Sequence, residues 1–345
     1  MRRAVAEAIV SNQYSDQFYK NQQHGSRQSA DQIVPLAIEL AKPKSVVDVG
    51  CGVGTWLAAF AGHGITDVYG IDGDYVERNR LQISENRFRA HDLSTPIRLD
   101  RRFDLVLCLE VAEHLAEEHA ATLIDSLVNL GPVVLFSAAI PYQGGTHHVN
   151  EQWPEYWARH FAAKGYVPVD CIRMKVWQND SVEWWYAQNI LLYVERAFLQ
   201  ANDALRREAT SNPPLSLVHP KRYLDAILML RLAKEAVEIV PQDESFILVN
   251  DDLFDVGTIT DRRGVPFLER DGVYWGKPAD DDVAIQELER MRRGGSAFMI
   301  FSWPSFWWLE YYSGLHRYLR SKFRCVREND CLIAFDLRRE KPAVQ

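Results

Sequence analysis

The chain has 345 residues, 47% hydrophobic and 25% charged, an ordinary balance for a soluble globular protein and a length that suits two domains. Its 39 Lys and Arg against 47 Asp and Glu give a formal charge of −8, which argues against broad nucleic-acid binding, since that needs a basic surface to displace counterions, and leaves room only for a local basic patch. No apolar run reaches the ~20 residues of a membrane span; the start, Met1 to Glu7, carries an early acid and reads as no signal peptide; and the five cysteines (51, 108, 171, 325 and 331) form no C-x-x-C pair, so they read as reduced thiols of a cytoplasmic protein with no zinc site.

Residues 1–30 are polar and read as partly helical, with Tyr14, Phe18 and Tyr19 as anchors and 23–29 as a loop before a helix from Ala30 to Ala41. From 45 to 195 strands and helices alternate, with strands near 45–49, 68–71, 87–90, 104–109 and 133–138. That alternation predicts an α/β fold, a mainly parallel sheet covered by helices on both faces. Residues 196–240 read as helix, break and helix, punctuated by Asn212-Pro213-Pro214 and His219-Pro220, with helical spacing from Tyr223 to Val240. A second, smaller α/β module opens with the strand Phe246–Asn250. Turns follow at Gly257, Gly264 and Gly272, then a helix capped by Asp280-Asp281-Asp282 and ended by Gly294-Gly295. A strand at Phe298–Phe301, helices around 305–321 and strands near 323–327 and 331–336 complete it. The expected domains are 1–198, a helical linker 199–240, and 241–345.

The most informative stretch is Ser45 to Leu57. A β-branched run ends in Gly50, Gly52 and Gly54, and Trp56-Leu57 opens a helix, giving strand, glycine turn, helix. Glycines let the backbone approach a ligand where a Cβ would clash. The dinucleotide fingerprint G-x-G-x-x-G would need glycine at 55, where Thr55 stands. The pattern D-x-G-x-G-x-G resembles motif I of the class I S-adenosylmethionine (SAM) dependent methyltransferases. Val68–Asp72, His91-Asp92-Leu93 and Phe103–Glu110 follow in that family's order, so the resemblance covers roughly residues 12–195. It implies a Rossmann-like sheet that holds SAM through Asp48, Gly50, Cys51, Gly52 and Gly54. It further implies Asp72 on the ribose, Asp92 and Leu93 at the adenine, and Glu110 after the fourth strand. It also implies a closing antiparallel strand, matched by Gln188–Val194 with Val167–Met174 as hairpin partner. The N-terminal stretch then reads either as a lid over the cofactor or as a flap on one edge of the sheet. The 241–345 module resembles one appended to bacterial methyltransferases and glycosyltransferases of surface-polysaccharide pathways.

Two chemistries fit the loops beyond the strands. Glu110, Glu113 and His114 stand at i, i+3 and i+4, which shares one side if a helix begins there. The E-x-x-E-H run resembles the metal site of the ubiquinone-pathway O-methyltransferases and the small-RNA 2′-O-methyltransferases. That resemblance implies Mg²⁺ or Mn²⁺ on Glu110, Glu113 and His114, with His147 or His148 adding a ligand. Without metal, His148, or second to it His147, would accept the proton of an acceptor hydroxyl. Trp153, Trp157 and Trp185 would offer faces to a sugar ring, with Asn150, Asn179 and Gln188 orienting hydroxyls. The main expectation is a SAM-dependent O-methyltransferase acting on a sugar, glycan precursor or other small molecule, with no nucleic-acid substrate. The rivals are N- or C-methylation, or a SAM-binding scaffold whose C-terminal module docks a partner enzyme or a second copy.

Overall fold

The computed structural model describes residues 16–209, 214–251, 253, 261–271 and 273–341; Tyr14 and the side chains of Phe18 and Tyr19 lie outside what it describes. The chain divides into two compact units, one over Gln17–Arg222 and one from Tyr223 onward.

The first unit is a seven-stranded sheet: β1 (Ser45–Val49), β2 (Asp67–Asp72), β3 (Phe88–Ala90), β4 (Leu105–Leu109), β5 (Val133–Ser137), β6 (Tyr166–Val169) and β7 (Leu191–Glu195). Their order is β3-β2-β1-β4-β5-β7-β6. The first five run parallel, and β7 pairs antiparallel with both β5 and β6. β1, β4 and β5 are buried at every position, as continuous apolar runs must be when helices cover both faces. One core gathers Ile33, Val46, Leu57, Phe60, Leu107 and Leu192; the other gathers Val47, Val106, Phe136, Trp157, Phe161 and Tyr193. Strand order reverses between β1 and β4, and open α/β sheets bind ligands outside the carboxyl ends of strands at such a point. This is the class I methyltransferase architecture that the motifs implied.

Three local expectations are corrected. Residues 23–29 are no loop, because helix runs unbroken over Asp16–Ala41. Gly25 serves packing there: a Cβ on it would lie 2.3 Å from Glu183 Oε1, while Ser29 donates back to the Gly25 carbonyl and accepts from the Glu183 N–H. Gln188 and Asn189 belong to a helix, Trp184–Asn189, and the last strand starts at Leu191. β6 ends at Val169, because the fully buried Arg173 closes a short helix by pairing with Asp170 and donating to the Gln188 and Leu215 carbonyls.

The second unit holds the 20-residue helix Pro220–Ile239 from Tyr223 on and a five-stranded sheet. Its strands are β8 (Ser245–Val249), β9 (Arg263–Pro266), β12 (Ser296–Ser302), β13 (Phe323–Glu328) and β14 (Leu332–Glu340), with a separate hairpin of β10 (Glu269–Arg270) and β11 (Val273–Tyr274). The order is β13-β14-β12-β8-β9. Asp280 caps the Asp281–Arg293 helix through the Val283 N–H, as the acids there predict. Gly264 lies within β9 rather than in a turn, and Gly257 and Gly272 are outside the described residues. No helix among the described residues is long and apolar enough to cross a membrane.

Candidate functional site

β1 delivers the glycine turn to the switch point. Gly50, Gly52 and Gly54 all have left-handed backbone, at φ +84°, +53° and +83°, which any side chain would strain. Gly50 and Gly52 differ in what surrounds them. A Cβ at Gly50 would strike Val111, whereas one at Gly52 would meet nothing within 4 Å. Gly52 therefore borders open space of the kind a cofactor backbone contact needs. Its N–H donates to Asp72 Oδ2 at 2.6 Å, and Asp72 Oδ1 accepts from Gly73 N–H and the Tyr75 hydroxyl. The acid at the end of β2 thus ties itself to the turn. Asp48, buried behind it, is pushed up to about 8 by burial and then by the charge of Asp72, so it holds its proton at neutral pH. Burial likewise drives the Cys51 thiol far above its usual range, which leaves it an inert turn residue. Leu93 is buried after β3. Asp92 is exposed and accepts from the Ser94 N–H and hydroxyl, which hold it below the usual carboxylate range.

Beyond β4 the chain does not start an α-helix at Glu110. Glu110 itself takes a left-handed φ of +53°, and only Ala112–His114 turn as a 3-10 segment. The helical spacing of Glu110, Glu113 and His114 is therefore lost, although the Glu110 and Glu113 carboxyls still meet within hydrogen-bond reach. Glu110 faces Asn189 Nδ2 at 3.2 Å and Gln143 Nε2 at 3.4 Å. Glu113 is fully buried, and burial followed by the charge of Glu110 pushes it well above the usual carboxylate range. Its Oε1 accepts from Ala139 N–H, while Oε2 has no hydrogen-bond partner. Its main-chain carbonyl accepts from both Val149 and Asn150 N–H, at 2.9 and 3.0 Å. Those two bonds draw the 145–151 loop over the end of β4. They set the His148 ring edge-on to His114, centroids 4.9 Å apart.

Candidate ligand atoms of Glu113, His114 and His148 lie within 4.8 Å of one another. The orphaned Oε2 of Glu113 fits a cation there, and so does His114, which burial and then the charge of His148 push down to about 4, leaving a neutral imidazole. Glu110 stands outside this group, as does exposed His147 with its φ of +61°. His148 has a second use: its Nδ1 lies 2.9 Å from Glu151 Oε1. Burial works to raise Glu151, but the bonds from His148 and the Gly144 N–H outweigh it and keep the carboxylate low.

The expected aromatic cap does not form. Trp157 is 2% exposed and packs on Phe136 in the core of one sheet face; Trp185 packs against the core of the opposite face. The helix Pro154–Ala163 turns Trp157 inward with Phe161, while Trp153, 42% exposed, stays accessible. Asn150 is buried, its Oδ1 taken by Gln152 and its Nδ2 without a partner. Gln188 and Asn179 are engaged, by Gln143, Asn189 and His219 and by Gln32. Sequence reasoning missed Gln143 and Asn189 as holders of Glu110, and Glu151 as the partner of His148. The H-x-x-E spacing is a faint signal for that last pair; the contacts to Glu110 are non-local and leave none.

Residues 20–189 match the family model described as a methyltransferase domain. The matched segment, just under half of the chain, takes in the glycine turn, the acid of β2 and the Glu110–Glu151 loops, and marks this part of the chain as a methyltransferase domain. No curated protein matches the chain. Among solved structures it is similar to magnesium protoporphyrin IX methyltransferase from Synechocystis PCC 6803 with bound SAH, at 20% identity, 51% of this chain, 87% of that one and a TM-score of 0.39. It is also similar to DesVI of Streptomyces venezuelae (16%, 52%, 95%, 0.41) and to the sugar N-methyltransferase KedS8 from Streptoalloteichus sp ATCC 53650 (16%, 52%, 92%, 0.42). None of these bears on the acceptor.

Proposed function

We propose that the protein methylates a hydroxyl of a sugar or glycan precursor, with His148 as general base and Glu151 as the residue that orients it. SAM, bound at the glycine turn, supplies the methyl group. The acceptor oxygen forms its new bond to that carbon as the sulfonium–carbon bond breaks, and the hydroxyl proton passes to His148 Nε2. The observation that carries this reading is the His148 Nδ1–Glu151 Oε1 contact of 2.9 Å. It commits one ring nitrogen to the protein and leaves the other as the proton acceptor. Gly145 makes room for that ring, since a Cβ there would lie 2.4 Å from Nε2. The accessible Trp153 supports a sugar acceptor. The five free cysteines support a cytoplasmic setting.

The orphaned Glu113 Oε2 favours a second reading. Glu113, His114 and His148 would hold Mg²⁺ or Mn²⁺, which supplies Lewis acidity that lowers the pKa of a bound hydroxyl. Purified protein incubated with SAM and cell-extract glycans tests the proposal: products heavier by one CH₂, with the new methyl on oxygen by fragmentation, are expected. A methyl on nitrogen or carbon, or no turnover of SAM, would overturn it.

A further inference from the structure

The helix Pro154–Ala163 buries Trp157 and Phe161 and turns its other side to a cavity of about 320 Å³. Gln152, Trp153, Glu155, Tyr156, Arg159 and Ser216 line it. Trp153, Tyr156 and Arg159 recur every three residues and so form one stripe. Small-ligand pockets run from roughly 300 to 1,000 Å³, so this volume suits one sugar ring rather than a nucleotide.

Its electrostatics are lopsided. Elsewhere in the unit buried or bridging arginines meet acids, as Arg101 meets Asp67 and Arg173 meets Asp170. Among the described residues no ion pair forms at Arg159, and its guanidinium carbon lies 5.9 Å from the centre of the Tyr156 ring. The wall's carboxylate, Glu155, is already engaged: both its oxygens accept from Ser216, one from the N–H and one from the hydroxyl. The cavity thus brings together a guanidinium without an ion pair, the aromatic side chains of Trp153 and Tyr156, and polar groups of Gln152 and Ser216. The chain joins it directly to the proposed chemistry. Glu151, the partner of His148, precedes Gln152, whose main-chain N–H is fixed to the Ala139 carbonyl beyond β5 and whose side chain donates to Asn150.

We propose that this cavity binds an anionic group of the acceptor, a carboxylate or phosphate on the sugar, through Arg159, with the ring seated on Trp153 and Tyr156. Guanidinium forks match both anions. The inference rests on the sugar-acceptor reading and narrows it to acidic or phosphorylated sugars.

The test titrates the full-length protein with glucuronate, glucose 1-phosphate and methyl glucoside, read by saturation-transfer difference NMR. At least one anionic probe should bind ten-fold or more tightly than the neutral one, and the stronger of the two names the anion. Arg159→Gln should erase that advantage and Arg159→Lys should restore part of it, while Trp153→Ala weakens all three probes alike. S-adenosylhomocysteine affinity by calorimetry, unchanged in each variant, shows that the cofactor half is intact. Equal affinity for neutral and anionic probes, or an anion advantage that survives Arg159→Gln, would overturn the proposal. Failure of the O-methyl reading looks different: Arg159-dependent binding persists while no methyl reaches oxygen.

Discussion

His148 and Glu151 are paired through one ring nitrogen, Nδ1 to Oε1 at 2.9 Å, within a single loop turn. The pair gives His148 a fixed orientation and leaves Nε2, beside Gly145, as the ring nitrogen that Glu151 does not engage. If His148 is the base, His148→Asn should lower kcat by ~10²–10⁴-fold, the usual worth of positioned proton transfer. Glu151→Gln should lower kcat less and move the rising limb of the pH–rate profile, because an amide cannot stabilise an imidazolium as a carboxylate does. Steady-state rates from pH 5 to 9 check this; a profile indifferent to both changes removes His148 from the chemistry.

The cation reading makes the opposite demand. Glu113→Gln removes a carboxyl that could ionise on binding a cation, while keeping its volume. Mn²⁺ affinity, measured by electron paramagnetic resonance without substrate, should drop by at least ten-fold in that variant. Activity should vanish in EDTA and return with Mg²⁺ or Mn²⁺. Full activity in EDTA, with no Mn²⁺ bound, would leave the triad as a packing feature.

Gly50 and Gly52 should respond differently to side chains. The Cβ added by Gly52→Val has nothing within 4 Å beyond its chain neighbours, so the variant should fold, at about 1–3 kcal/mol of backbone strain, yet lose S-adenosylhomocysteine affinity by ten-fold or more. Gly50→Ala collides with Val111 and should lose stability first. Calorimetry with the product, alongside thermal unfolding, separates the two effects.

Asp48 ties stability to pH. Its ordinary value is 3.8 and its folded value about 8. Between those limits the folded protein keeps a proton that the unfolded chain releases, so stability is greatest on the acid side and falls as pH rises toward 8. The contribution is at most roughly 1.4 kcal/mol per pH unit. Buried Glu113, also raised, works in the same direction. Asp48→Asn should flatten the decline between pH 5 and 8 in urea unfolding; an unchanged slope would mean that Asp48 titrates normally.

The position of the domain boundary is open to truncation. Leu215 accepts from the buried Arg173, His219 N–H donates to the buried Gln188, and Ser216 donates to Glu155. A protein ending at Arg222 keeps these bonds and should bind S-adenosylhomocysteine like the full chain. One ending at residue 200 takes one acceptor from the buried Arg173 guanidinium and should lose stability, since hydrogen bonds to charged groups are worth roughly 1.5–3 kcal/mol each. Equal stability of the two would place the boundary at 200.

The sheet was legible wherever burial on both faces forces an unbroken apolar run, as in Val46–Val49 and Val133–Phe136. The glycine turn was legible because three alternate glycines have few other uses. Local chemistry also sufficed for the Asp280 cap. Gly25 misled because a glycine chosen for close packing against Glu183 looks the same, in sequence, as one chosen for a turn. Trp157 misled because an aromatic cluster at a helix start does not state which ring turns inward. The E-x-x-E-H spacing presumed a helix that the left-handed Glu110 interrupts. The loop carrying His148 is placed by hydrogen bonds from Val149 and Asn150 to Glu113, 36 and 37 positions earlier in the chain, and no local pattern encodes them.

Those two bonds end on the carbonyl of Glu113, not on its carboxylate. Main chain is common to every residue type, so these two bonds do not depend on the carboxylate at 113. A lineage can exchange that glutamate for a neutral residue without displacing His148. One backbone can therefore be passed down through both ion-dependent and ion-free descendants. Kinship in this loop would be traced by the path of the chain, while the letters at 113, 114 and 148 record only which chemistry each descendant retained.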